Sequence, residues 1–270
     1  MGSKSVMTLP RIVPVLLIKN GKLVRSSNFT DHRVVGDPFL QCSRFNAWDI
    51  DEIIYLDINR ELGQVPLVRN DRKNQSVVDI NEIQKFVAEV CQVPLAWGGN
   101  LRSESDAGRA IEVHGADKVI FTTALESNPS AVFLTSRRFG SQAVSVGIDF
   151  KEVEGEFKVF VYSGTKLVPV DFENWIKRAE EFGAGEILLH SIDRDGMRRG
   201  FNIEALKRAK GVTNVPIVVL GGAGKPEHLS EAVSEGASGV AASNLWHFSD
   251  NVSSVIRDEF KRRQIAVRNP

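Results

Sequence analysis

The chain reads as a (β/α)8 barrel made of duplicated half-barrels, on three observations. Eight short apolar, β-branched runs recur along its 270 residues. Amphipathic stretches of helical period lie between most of them. Two glycine-rich units, one from Pro94 to Thr123 and one from Pro216 to Ser243, are built alike and fall four strands apart. Near-continuous apolar runs suit strands buried on both faces of a parallel sheet, and their alternation with helices predicts the TIM-barrel arrangement. The fourfold offset of the glycine units is the mark of an internal repeat.

Taken in order, the strands are Arg11–Ile18, Glu52–Ile58, Val93–Trp97, Lys118–Thr122, Ala143–Asp149, Glu186–Ser191, Pro216–Leu220 and Gly239–Ala242. Helical patterns cover Asn81–Cys91, Ser103–Val113, Pro129–Phe139, Phe172–Phe182, Ile203–Ala209 and Pro226–Glu235. Two insertions break the rhythm, each after a strand and so on the face where barrels carry their sites. Asn20–Asp37 is long and polar and reads as a mobile lid loop. Lys151–Val168 reads as a hairpin turning at Gly155. Residues 1–10 read as a leader or tag without an apolar signal core, and residues 11–270 as one barrel domain.

The 34 basic and 34 acidic residues balance, which argues against a nucleic-acid partner or an anionic membrane. No apolar run reaches the length of a membrane span, so a cytoplasmic protein is expected. Cys42 and Cys91 are far apart in sequence and read as reduced, buried thiols. The five histidines have no metal-ligand spacing, and neither a metal nor a cofactor is expected.

The glycine units carry the first chemical signal. Each puts small residues after two successive strands, where backbone N–H groups can approach an anion and a helix N-terminus adds positive charge. One clamp comprises Gly99, Thr122 and Thr123; the other comprises Asp195, Gly196, Gly221, Gly222, Ala242 and Ser243. Either the ligand carries two phosphates or the repeat is a relic of one. Asp149 ends the fifth strand, where a carboxylate suits acid–base work. The equivalent place on the first strand holds Leu17, which moves no proton; Asp57, Asp193 and Asp195 also lie near strand ends.

From about Arg11 to Phe248 the chain resembles the cyclase subunit of imidazole glycerol phosphate synthase. The resemblance is carried by Gly183-Ala184-Gly185-Glu186-Ile187-Leu188-Leu189, by Ser191-Ile192-Asp193-Arg194-Asp195-Gly196 and by Gly221-Gly222-Ala223-Gly224-Lys225, with shorter matches such as Gly36-Asp37-Pro38 and Tyr162-Ser163-Gly164. The resemblance implies two catalytic aspartates, of which Asp149 matches one and Leu17 replaces the other. It implies a third glycine in the first clamp where Asn100 stands, and an asparagine at Thr122. It also implies a glutaminase partner whose ammonia enters the barrel base past Arg11, Glu52, Lys118 and Glu186, with Asp117 and Gln142 at the docking face. With that entrance kept and one acid lost, the chain is similar to a divergent branch of the family. That branch supplies ammonia to a separate ATP-dependent amidotransferase, which turns an acetamido group of a nucleotide-linked sugar into an acetamidino group. The alternative is the histidine-pathway cyclase itself.

Overall fold

The computed structural model describes residues 9–48, 50–59, 79–247 and 251–268. The expected leader falls mostly outside these, as does Phe248 at the far end of the resemblance.

Among the described residues twelve strands form: β1 (Arg11–Lys19), β2 (Lys22–Ser27), β3 (Asp31–Gly36), β4 (Ile53–Asp57), β5 (Leu95–Gly98), β6 (Lys118–Phe121), β7 (Val144–Val153), β8 (Glu156–Val161), β9 (Lys166–Asp171), β10 (Glu186–Ser191), β11 (Ile217–Leu220) and β12 (Gly239–Ala242). Eight of them, β1, β4, β5, β6, β7, β10, β11 and β12, pair in parallel, and the β7–β10 pairing closes the barrel. Helices α1 (Pro38–Asn46), α2 (Ile80–Val90), α3 (Glu104–Glu112), α4 (Ala124–Ser127), α5 (Pro129–Phe139), α6 (Phe172–Glu181), α7 (Ile203–Lys210), α8 (Pro226–Ser234) and α9 (Val252–Arg262) lie in the intervals and after the last strand.

Strand alternation divides the core in two. Ile12, Leu16, Tyr55, Val144, Val146 and Ile148 face outward and pack with the helices. Val13, Val15, Leu17, Ile54, Ile120, Leu188 and Val218 face inward and fill the bore. Helix starts follow capping chemistry. Asp37 accepts the N–H of Phe39 (2.8 Å) ahead of Pro38, and Ser103 with Asp106 forms a reciprocal capping box.

The polar stretch Asn20–Asp37 is not a loop: it holds β2 and β3, an antiparallel pair that continues from β1. The second insertion forms the expected hairpin turning at Gly155, but β7 runs on to Val153 and β9 adds a further strand. The same antiparallel appendage therefore follows β1 and β7, the first strand of each half. Each appendage reaches across to the opposite half. The Asn28 N–H donates to the Asp195 carbonyl (3.0 Å) and Asn244 Nδ2 donates to the Ser26 carbonyl (3.1 Å). In return the Tyr162 N–H donates to Thr123 Oγ1 (3.0 Å) and Lys166 pairs with Glu126 (2.6 Å).

Cys42 and Cys91 are free thiols. Sequence distance misleads here, because the packing of α1 on α2 brings them within hydrogen-bonding reach of each other. Cys91 is half-buried rather than buried.

Candidate functional site

At the N-terminal end of the barrel, Arg11, Lys118 and Glu186 open β1, β6 and β10, and Glu52 immediately precedes β4. Alternation turns all four inward, where they close into a ring. Arg11 bonds both Glu52 and Glu186, and Lys118 bonds the same two carboxylates at 3.0 and 2.8 Å. Each cation touches both anions, so every buried charge has two partners. That arrangement offsets the desolvation cost of burying charge. Asp117 and Gln142 lie exposed beside the ring, held by bonds from Leu95 N–H to Asp117 and from Gln142 to the Phe139 carbonyl (2.8 and 2.9 Å).

At the C-terminal end the bore widens into a cavity of about 540 Å3, which Leu17 and Asp149 both line. Leu17 presents only methyl groups. Asp149 does not stand alone, because its Oδ1 lies 3.4 Å from His190 Nδ1. The other ring nitrogen of His190 is 3.9 Å from Asp195. Phe29, from the turn between β2 and β3, lies against the imidazole with ring centroids 4.6 Å apart. Burial disfavours the charged ring, but Asp149 and Asp195 outweigh it and raise the His190 pKa to about 9. Asp195, although buried, is held below the usual carboxylate range by His190 and by a bond from the Phe29 N–H.

The first clamp also lines this cavity, through Gly99, Asn100, Thr122 and Thr123. Gly99 has φ +87°, and a Cβ there would run into the Asp57 carbonyl. Asn100 too has positive φ, and its Nδ2 donates to Asp57 Oδ2 (2.8 Å), so its donor is spent on the protein. Asp57 also accepts two bonds from Asn59, yet burial dominates and raises its pKa. Thr123 Oγ1 is engaged by the Tyr162 N–H. Asp193, another carboxylate near a strand end, accepts the Glu152 N–H (2.8 Å) and is exposed.

The second clamp follows three adjacent strands, β10, β11 and β12. Gly222 has φ +108°, and a Cβ on it would strike the Gly200 carbonyl. Ser243 Oγ is buried with no protein partner, as is Asn244 Oδ1 nearby. The Asp195 N–H closes a turn onto the Ile192 carbonyl (3.2 Å). Among the described residues no group of His, Cys, Asp and Glu could hold a metal, and no helix is long and apolar enough to cross a membrane.

His190 is the site residue that the sequence reading missed. Its signal was present, since alternation from Glu186 through Leu188 turns position 190 inward. Alternation alone does not mark it as a site residue, because its partners Asp149 and Asp195 lie on another strand and in a loop.

A closed (β/α)8 barrel, with a buried charge ring at one end and glycine-rich turns around a cavity at the other, defines the class to which the chain belongs. Residues 11–251 match the family described as histidine biosynthesis protein, and the chain belongs to that family. It is 41% identical to the imidazole glycerol phosphate synthase subunit HisF of Metallosphaera sedula, covering 97% of this chain and all of that one. It is 37% identical to the subunit of the same name from a Thermotoga species, over 97% and 98% of the two chains. The corresponding protein of Endomicrobium trichonymphae is 34% identical over 96% and 95%.

Proposed function

We propose that the chain is the synthase subunit of a two-subunit glutamine amidotransferase. A glutaminase docks on the N-terminal face around Asp117, Lys118 and Gln142. Ammonia released there passes Arg11, Glu52, Lys118 and Glu186, rises through the apolar bore and emerges in the C-terminal cavity. The ring carries this reading, because a barrel that needed only stability would gain little from four buried charges over an apolar plug. Ammonia travels neutral, since an ammonium ion in the bore would be stripped of its water. The second clamp holds a phosphorylated small molecule or inorganic phosphate.

Two acceptor reactions follow. The names of the relatives favour cyclisation to imidazole glycerol phosphate, as in histidine biosynthesis. The other acceptor is a separate ATP-dependent enzyme that amidinates an acetamido group on a nucleotide-linked sugar, and what supports it is that the cavity departs from the cyclase pattern. Leu17 supplies no proton there, Asn100 is tied to Asp57, and Asp149 faces a cationic His190.

Turnover of the family's bisphosphorylated aminoimidazole precursor, with ammonium salt at alkaline pH, separates the two. On the amidination reading the rate falls roughly 100-fold or more below that of a member with both aspartates, and Leu17→Asp raises it. A rate matching such a member overturns amidination and leaves the cyclase.

A further inference from the structure

Between the charged ring and the cavity, the bore is lined by apolar side chains such as Val13, Ile54, Ile120, Leu188, Val218 and Ala241. Ser145 breaks that lining. Val144, Val146 and Ile148 belong to the outer core, so Ser145, Gly147 and Asp149 alternate inward. Ser145 is fully buried, and its Oγ has no hydrogen-bond partner in the protein. In register it lies beside the ring residue Glu186 on one side and beside Ile120 on the other. Burying a hydroxyl without a partner is unfavourable, and buried polar groups nearly always have one. The hydroxyl therefore stands where a guest with hydrogen-bonding groups has just left the ring and meets only hydrocarbon. The next inward residue, Gly147, has no side chain, and a Cβ there would lie 2.5 Å from Thr122 Oγ1. The space beside Gly147 is thus taken up by the Thr122 side chain, which places a second hydroxyl next along the bore, at the cavity.

We propose that Ser145 is a transit site for ammonia within the bore. Resting on the ammonia-delivery reading above, it assigns a residue to the step after the ring. The Ser145 O–H donates to the nitrogen lone pair, and its oxygen can accept an N–H in return. Ammonium has no lone pair, so a donating hydroxyl favours the neutral form that the bore requires. Thr122 Oγ1 receives the molecule next.

The test uses the assembled complex of this chain, its glutaminase and the acceptor enzyme, with an added enzyme that scavenges free ammonia. The readout is nitrogen transferred to product per glutamine hydrolysed. Ser145→Ala should lower this ratio about threefold to tenfold, the worth of one neutral hydrogen bond. Ser145→Thr, which restores a hydroxyl, should recover it. Product formation from excess ammonium salt without the scavenger should not distinguish the variants. A fixed structural water is the other guest that would satisfy the same hydroxyl. An unchanged ratio in Ser145→Ala, with lowered thermal stability, would assign the site to that water and overturn the proposal. If the wild-type complex itself transfers no nitrogen under scavenging, the delivery reading fails first. Crystals of the chain soaked in ammonium salt at alkaline pH give an independent readout. The proposal expects a solvent-sized molecule on Ser145 Oγ that is displaced by methylamine, a slightly larger neutral amine. A molecule that methylamine leaves in place is water and counts against it.

Discussion

Between about pH 6.5 and about pH 9 the His190 imidazole ties the stability of the fold to proton concentration. Its folded pKa is raised above the ordinary value, so its stabilising contribution is complete below about 6.5 and is lost as pH climbs through about 9. The shift corresponds to about 3 kcal/mol for a fully buried ring. Urea unfolding at a series of pH values should therefore show a midpoint that declines across this window. In His190→Gln the decline should flatten, with the variant weaker than wild type chiefly on the acidic side. Equal slopes in the two proteins would mean that Asp149 and Asp195 do not hold the imidazolium.

At the scale of single elements, the two clamps are built alike but not equally open. In the first, Asn100 turns its donor onto Asp57 and Tyr162 occupies Thr123. In the second, Ser243 keeps a buried hydroxyl without a protein partner. Crystals grown in sulfate should show an anion at Gly196, Gly222 and Ser243, with weaker or no density at Gly99 and Thr122. Asn100→Gly should raise occupancy at the first clamp. The reverse ranking in the wild type would contradict this assignment.

The barrel strands were legible in sequence because burial on both faces leaves long apolar runs that only a parallel sheet explains. The pair β2–β3 was not. In β3, Asp31, Arg33, Val34 and Gly36 are exposed, so an edge strand with one partner looks like a polar loop. Helices α1 and α9 also escaped. In α9 the buried positions include Ser253, Arg257 and Glu259 beside Val252, Ile256 and Phe260, which blurs the apolar stripe. The charge ring was legible through family likeness and strand alternation, whereas the Asp149–His190–Asp195 cluster needed three-dimensional proximity that no spacing encodes.

On the scale of the whole molecule, the two ends of the barrel differ in chemistry, with the charge ring at one and the cavity at the other. Docking of a glutaminase should slow amide hydrogen exchange around Asp117 and Gln142 and leave the hairpin β8–β9 at the opposite end unchanged. Asp117→Asn, which leaves an acceptor for the Leu95 N–H, should weaken docking without unfolding the chain. Protection confined to the hairpins would put the partner on the wrong face.

The crossed hairpins have a consequence for how the molecule comes apart. The arm that grows from β1 is fastened to the loop after β10, and the arm from β7 is fastened to the turn after β6. The two halves therefore hold each other in a double clasp laid over the seam. Neither arm can swing away without releasing its grip on the other half. A molecule placed beneath both arms would touch both halves at once, since Ser26 and Phe29 of one arm and Tyr162 and Thr165 of the other line the same cavity.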